Sequence, residues 1–392
     1  MTAGSYPFGP PDLLRLHPRF AQLRESEPLS RVRMPYGREG WLATRYEDVR
    51  AIISDPRFSR ARAAGADVPR MTPLPGGAGS MAMMDAPEHT RMRRLVSKAF
   101  SLRRIEELRP SVTTRAETLL RGLSPPADLM RDFGTPLALM TICDMLGVPY
   151  GERDRFGGWA EVVVTTTAYT AEEVERVLGA FAQYLLELVE RRRAVPRDDL
   201  LSELVHARDS ERRLSEQELV TFLGSSLTTG QDNVAKQVGN MAYTLLTEPG
   251  LYRSLAERPG VIPGAVEELL RYLVISPGLG IARIATEDVE IGGRTIREGE
   301  AVLVSFASAN RDPGAFPEPE RIDVEREGSA HLTFGPGLHH CLAASLVRME
   351  LQEAVRALVR VCPDLRLAVP EEEVEWLTTA ITIGPVRLPV RW

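Results

Sequence analysis

The ten residues from Phe334 to Ala343, F-G-P-G-L-H-H-C-L-A, constrain this chain more than any other stretch. Two glycines and a proline turn the backbone sharply, and Cys341 stands at the end of the turn. Apolar residues then recur three or four apart in Val347, Leu351, Ala354, Leu358 and Val361, so Cys341 lies just before a helix N-terminus. The helix dipole favours a thiolate there, and a coordinated metal would deprotonate the sulfur outright. Gly335 and Gly337 let the backbone approach a flat ligand that a Cβ would obstruct. A lone cysteine after a turn is ordinarily a small buried hydrophobe, and the residues around this one argue for more.

F-G-x-G-x-H-x-C-x-A resembles the cysteine-ligand loop of the cytochrome P450 family, whose usual form ends in Gly where this chain has Ala343. The resemblance extends over most of the chain. Glu268 and Arg271 match the family's E-x-x-R, followed in family order by Ala309-Asn310-Arg311-Asp312-Pro313 and Pro319-Glu320-Arg321. The i,i+3 spacing puts Glu268 and Arg271 on one helix face as a charge-assisted pair. Buried, that pair needs further hydrogen bonds, and Arg321 is the expected third partner. These three read as supports of the cysteine loop, not as catalysts.

The resemblance implies a mainly α fold with small β-sheets: one triangular helical domain over residues 1–392. Haem b (iron protoporphyrin IX) would lie between a long central helix and the Cys341 loop. Cys341 would be the metal ligand, with Phe334, Gly335 and Gly337 contacting the cofactor. His89 and Arg93 share a helix face four residues apart, a spacing that without context describes a solvated basic face. Beside the cysteine loop they look like the pair that grips the haem propionates, completed by Arg283 and His339. Arginine's planar fork suits carboxylates, and four donors would neutralise two propionates.

Composition narrows the partners. The chain has 48 Lys and Arg against 54 Asp and Glu, a formal net charge of −6, and no basic tail, which argues against nucleic acid. Only Lys98 and Lys236 are lysines. Met1 to Pro11 carries no apolar run, so neither a signal peptide nor a membrane anchor is expected, and a soluble cytoplasmic protein is. Cys143, Cys341 and Cys362 fit no zinc pattern, and Cys143 and Cys362 read as core filling.

In chain order, a short helix is expected around Phe20–Glu25. Strands follow at Arg31–Met34 and Trp41–Thr44, then a helix over Glu47–Ser54. Pro56 to Met84 dissolves into Gly, Pro, Ala and Arg; the resemblance makes it the roof of a substrate pocket. Helices are expected from Pro87 and at about 101–121, 127–147 and 171–193. Val162–Thr167, rich in β-branched residues, is hard to place. The longest helix runs from Ser215, with Glu218 at capping-box spacing, to about Thr247. Strands are expected at Val289–Ile291, Thr295–Ile296, Ala301–Val304 and Leu365–Leu367, and near the C-terminus.

The central helix departs from the family. Its usual A/G-G-x-(D/E)-T-T pairs an acid with an alcohol where dioxygen binds. Counting back from Glu268–Arg271 aligns Thr229-Gly230-Gln231-Asp232-Asn233-Val234 with it, so Asp232 supplies the acid and Asn233 replaces the alcohol. Thr228-Thr229 lies too early and is a decoy. A hydroxyl donates and accepts at once and so relays protons, whereas an amide titrates poorly.

The reading is therefore an oxidoreductase of monooxygenase type acting on a small specialised metabolite with O2. No flavin or nicotinamide motif is present, so NAD(P)H electrons would arrive through a ferredoxin reductase and a ferredoxin. The altered acid–alcohol pair keeps open oxidative C–C or ring coupling of a phenol or indole. A haem sensor or carrier that never turns over is a remoter alternative, opposed by Asp232, the full propionate set and the long roof.

Overall fold

The computed structural model describes residues 3–392 except 10–13, 74–76, 78, 154–158, 160–161, 163–168, 210–213, 277–278, 329 and 378–379. Most of the Val162–Thr167 stretch lies outside the described residues.

The central helix spans Glu216–Thr247 and starts on a reciprocal capping box. Ser215 N donates to Glu218 at 2.8 Å, and Glu218 N donates to Ser215 Oγ at 3.1 Å. The second half of this helix is buried nearly all round, since other elements cover it on every side. Thr135–Leu146 packs closest, and Gly230 permits the approach: a Cβ there would lie 2.8 Å from Ile142 Cγ1. Thr135–Leu146 ends at Gly147 in the left-handed conformation, φ 81°.

The helix expected at 127–147 divides. Ala127–Asp128 is a short strand paired with Val390 and Pro389, Met130–Gly134 is a π-helical turn, and the α-helix begins only at Thr135. Asp128 explains the break, because its Oδ1 accepts from Met130 N and from Leu388 N, both at 3.0 Å. The helices at Leu102–Arg121 and Ala171–Ala194 match expectation. Leu200–Asp209 and Leu251–Glu257 are further helices that the pattern did not reveal.

A six-stranded sheet takes the order Gly4–Ser5, Leu29–Arg33, Gly40–Ala43, Ala301–Val304, Arg283–Ala285, Phe58–Ser59. Its inner strand Ala301–Val304 is apolar on both faces and fully buried. The expected roof loop thus contributes a strand, Phe58–Ser59, and two 3-10 turns, Ala61–Ala63 and Met81–Met83. Antiparallel pairing of Ser59 with Ile284 brings Arg60 to the level of Arg283. Among the described residues, no helix is long and apolar enough to cross a membrane.

Candidate functional site

Cys341 sits where its loop meets the helix Ala344–Val361. The loop closes on itself, with Cys341 N donating to Phe334 O at 2.8 Å and the His340 ring bonded through Nδ1 to Gly335 O at 2.7 Å. Gly335 (φ 62°) and Gly337 (φ 79°) hold the left-handed backbone that L side chains resist. Gly337 differs from expectation in one respect: its close neighbours are the backbone of Ile53 and Ser54, where an added Cβ would stand 3.3 Å from Ile53 O. Its missing side chain serves loop packing.

The thiol is half-buried, and burial holds it above its ordinary pKa although the Ala343 N–H, Arg93 and Arg348 all favour the thiolate. The helix N-terminus does not by itself make this sulfur an anion; a positive centre bound to it would. Cys143 and Cys362 are buried, with burial pushing their thiols up to about 12 and about 11, and both are inert core residues.

The E-x-x-R pair is fully buried and bidentate: Arg271 Nη2 reaches Glu268 Oε1 and Nε reaches Oε2, each at 2.8 Å. The third cation is Arg326, not Arg321. Arg326 Nε donates to both Glu268 oxygens at 3.2 Å, whereas the exposed Arg321 side chain turns to Glu318 and only its carbonyl accepts from Arg271, at 3.2 Å. Arg271 also donates to the carbonyls of Asn310 and Pro319. Asn310 then bonds Leu332 N at 2.7 Å and Thr333 Oγ1 at 2.9 Å, which anchors the approach to Phe334. Glu267, on the same helix, binds His331 and Arg348, and Arg348 stacks 4.4 Å from the centre of the Phe334 ring. Burial opposes ionisation of Glu267, yet bonds from His331 and Arg348 hold its pKa at about 2.

His89, Arg93, Arg283 and His339 come together, as expected, and Arg60 joins them. The His89 and His339 rings are 4.5 Å apart. Arg93 Nη1 donates to His340 O at 2.7 Å and to Leu338 O at 3.4 Å, so it also ties its helix to the cysteine loop. Burial and then the surrounding cations push His339 down to about 3; burial pushes Arg283 down to about 9 and Arg60 to about 10. Asp85 is the one acid acting on this group, and it already bonds Ser59 Oγ and Arg60 N. Among the described residues, His89 Nδ1 and Arg60 Nε are buried without a hydrogen-bond partner. Mutual repulsion and orphaned donors leave a site complementary to a dianion, which the two propionates of haem b fit. A cavity of about 700 Å³ opens beside it, with Arg60, Thr333, Phe306, Met83 and Ile381 in its walls.

On the central helix Asn233 is half-buried and its amide makes no hydrogen bond among the described residues. The Thr228 and Thr229 hydroxyls donate to carbonyls one turn back, at 2.9 Å and 2.7 Å. Asp232 is not free. Lys236 Nζ lies 2.7 Å from Oδ1, and Thr382 Oγ1 donates to Oδ2 at 2.6 Å. The i,i+4 spacing of Asp232 and Lys236 could have signalled this pair in the sequence; Thr382, 150 residues away, had no such signal.

The Cytochrome P450 family model matches residues 261–373. Nocardicin C N-oxygenase of Nocardia uniformis subsp. tsuyamanensis is 46% identical over 99% of this chain and 98% of its own length. Mycinamicin IV hydroxylase/epoxidase of Micromonospora griseorubida is 45% identical over the same shares. The crystal structure of cytochrome P450mel 107F1 with biaryl coupling reactivity superposes with a TM-score of 0.96 at 43% identity, with both chains covered completely.

Proposed function

This chain belongs to the cytochrome P450 family and is a haem b oxidoreductase of monooxygenase type, and we propose that it oxidises a small specialised metabolite with O2 and electrons from a ferredoxin and its NAD(P)H-dependent reductase. The whole of residues 1–392 acts as one domain, in the cytoplasm. Cys341 would ligate the iron, Phe334 and Gly335 would contact the cofactor, and Arg60, His89, Arg93, Arg283 and His339 would hold the propionates. Gly337 shapes the loop. The observation that carries this reading is the junction of sulfur and cations on one loop: His339 stands two residues from Cys341, and Arg93 grips the carbonyls on either side of His339.

When bound, haem would supply the activation of dioxygen, with Cys341 as the electron-donating ligand. The chain's own residues manage protons and orientation. Asp232, held on both oxygens, is the proton-handling group of the central helix. Asn233 offers an N–H donor where a hydroxyl is usual, so it positions a ligand and does not relay protons. The cavity walls at Met83, Phe306 and Ile381 orient an apolar substrate and keep bulk water away.

Oxidative coupling of an aromatic substrate is the second reading, favoured by Asn233 in place of the alcohol and by the likeness to a protein with biaryl coupling reactivity. The primary test is spectroscopic. The ferrous–carbonyl complex is expected to show the far red-shifted Soret band of thiolate ligation, lost in Cys341→Ser and kept in Cys143→Ser and Cys362→Ser. Persistence of that band in Cys341→Ser overturns the assignment.

A further inference from the structure

Resting on the haem-thiolate reading above, we propose that Lys236 and Thr382 are the positioning residues of Asp232, and that they fasten the acid of the central helix to the wall of the substrate cavity. The three side chains form a closed ring. Lys236 Nζ lies 2.7 Å from Asp232 Oδ1 and donates to Thr382 Oγ1 at 2.6 Å, and Thr382 Oγ1 donates to Asp232 Oδ2 at 2.6 Å. A hydroxyl has one proton; giving it to Asp232 leaves its lone pairs for the ammonium, so the directions of all three bonds are fixed. Asp232 is engaged on both oxygens, which fixes the orientation of its side chain.

The ring is built into the fold. Lys236 is 6% exposed and Thr382 5%. Lysine is all but excluded from this arginine-rich chain, and of the two present Lys98 is exposed. Two acceptors on different segments, Asp232 Oδ1 and Thr382 Oγ1, suit the tetrahedral donors of an ammonium better than a planar guanidinium. The lysine stem passes Gly384, where a Cβ would lie 2.7 Å from Lys236 Cγ. The Thr382 segment is secured on both sides. Ser276 Oγ donates to Ile381 O at 2.7 Å, Ile383 N donates to Ile275 O at 2.6 Å, and Asn240 Nδ2 donates to Ile383 O at 3.0 Å. Ile275, Ser276 and Ile381 line the 700 Å³ cavity. A ligand pressing on Ile381 thus acts one residue from the hydroxyl that holds Asp232.

The test compares wild type with Lys236→Met, Thr382→Val and Thr382→Ser in the haem-loaded full chain, without substrate. Carbon monoxide on the ferrous haem is the probe, read by its infrared stretch, together with NADPH consumption and hydrogen peroxide release driven by a surrogate ferredoxin and reductase. Displacing a positioned group by even an ångström costs up to about 100-fold, so Lys236→Met and Thr382→Val are expected to shift the stretch and slow NADPH consumption about tenfold. A larger share of the consumed electrons should appear as peroxide, and Thr382→Ser should return all three values to those of wild type. Thr382→Val keeps both charges and the side-chain volume, so it carries the test even if Lys236→Met does not fold. A wild-type stretch and wild-type NADPH consumption in Thr382→Val overturn the inference while the thiolate Soret band, present throughout, leaves the haem-thiolate reading standing. Absence of that band from wild type removes both.

Discussion

An arginine whose Nε is buried without an acceptor among the described residues, and whose cationic neighbours outnumber its one nearby acid, is stabilised when an anion joins it. Arg60 is such a residue, and it leads to the first prediction. Charge-assisted hydrogen bonds contribute about 1.5–3 kcal/mol each, so Arg60→Gln should release haem to an acceptor apoprotein about 10- to 100-fold faster. The thiolate Soret band should stay unchanged; unaltered release would show that Arg60 faces no propionate. Asn233 gives the second. Losing one positioned donor in a dry site costs about 100-fold or more, so Asn233→Ala should divert NAD(P)H electrons to hydrogen peroxide. Equal peroxide release in the variant and wild type would make the amide mere filling. At this scale the sequence showed what lies in local patterns. His89 and Arg93 share a turn of helix, and His339 and Cys341 share a loop. Arg60 owes its place to the pairing of Ser59 with Ile284 in a stretch that shows no strand pattern, so only the register exposes it.

At the scale of elements, the helix Ile262–Tyr272 is the bracket behind the cysteine loop. Its Glu268 is shared between Arg271 and Arg326, and its Glu267 between His331 and Arg348. Glu268→Gln would leave the buried Arg271 and the half-buried Arg326 short of a counter-charge, a loss of about 3–5 kcal/mol by calorimetry or denaturant titration. Arg326→Met should lower stability measurably and Arg321→Met hardly at all; the reverse order would restore Arg321 as the third partner. Glu267 sets a pH window. Its folded pKa of about 2 lies below the ordinary 4.5, so the stability it contributes is fully present above about 4.5 and is lost as pH falls towards 2. Glu267→Gln should flatten stability against pH across that window. The E-x-x-R spacing was legible because helix geometry alone pairs its ends. Its third cation was misassigned because the loop after Pro319 could present either arginine to Glu268, and tertiary packing chose Arg326.

For the whole molecule, docking of an electron donor depends on which charges remain outward on the face that carries the cysteine loop. Arg348, which follows the cysteine loop, is turned inward to Glu267 and Phe334. Arg103 is outward, with its side chain 86% exposed and only an i,i+4 partner in Glu107. Arg104 is shared between Glu107 and Asp198. The exposed Leu102 precedes them, and Leu338 is exposed on the loop itself. Exposed leucines and an outward arginine suit an acidic ferredoxin, the donor proposed above, even though the chain as a whole carries −6. Exposed charges are screened over about 10 Å at 0.1 M salt, so electron transfer from a ferredoxin should slow as salt rises. Stopped-flow reduction under carbon monoxide would follow it. Arg103→Glu should lower the rate at low salt and flatten its salt dependence, whereas Arg348→Ala should disturb the thiolate spectrum and leave the salt slope intact. A rate indifferent to salt in wild type, or a slope abolished by Arg348→Ala alone, would move the docking surface away from Arg103.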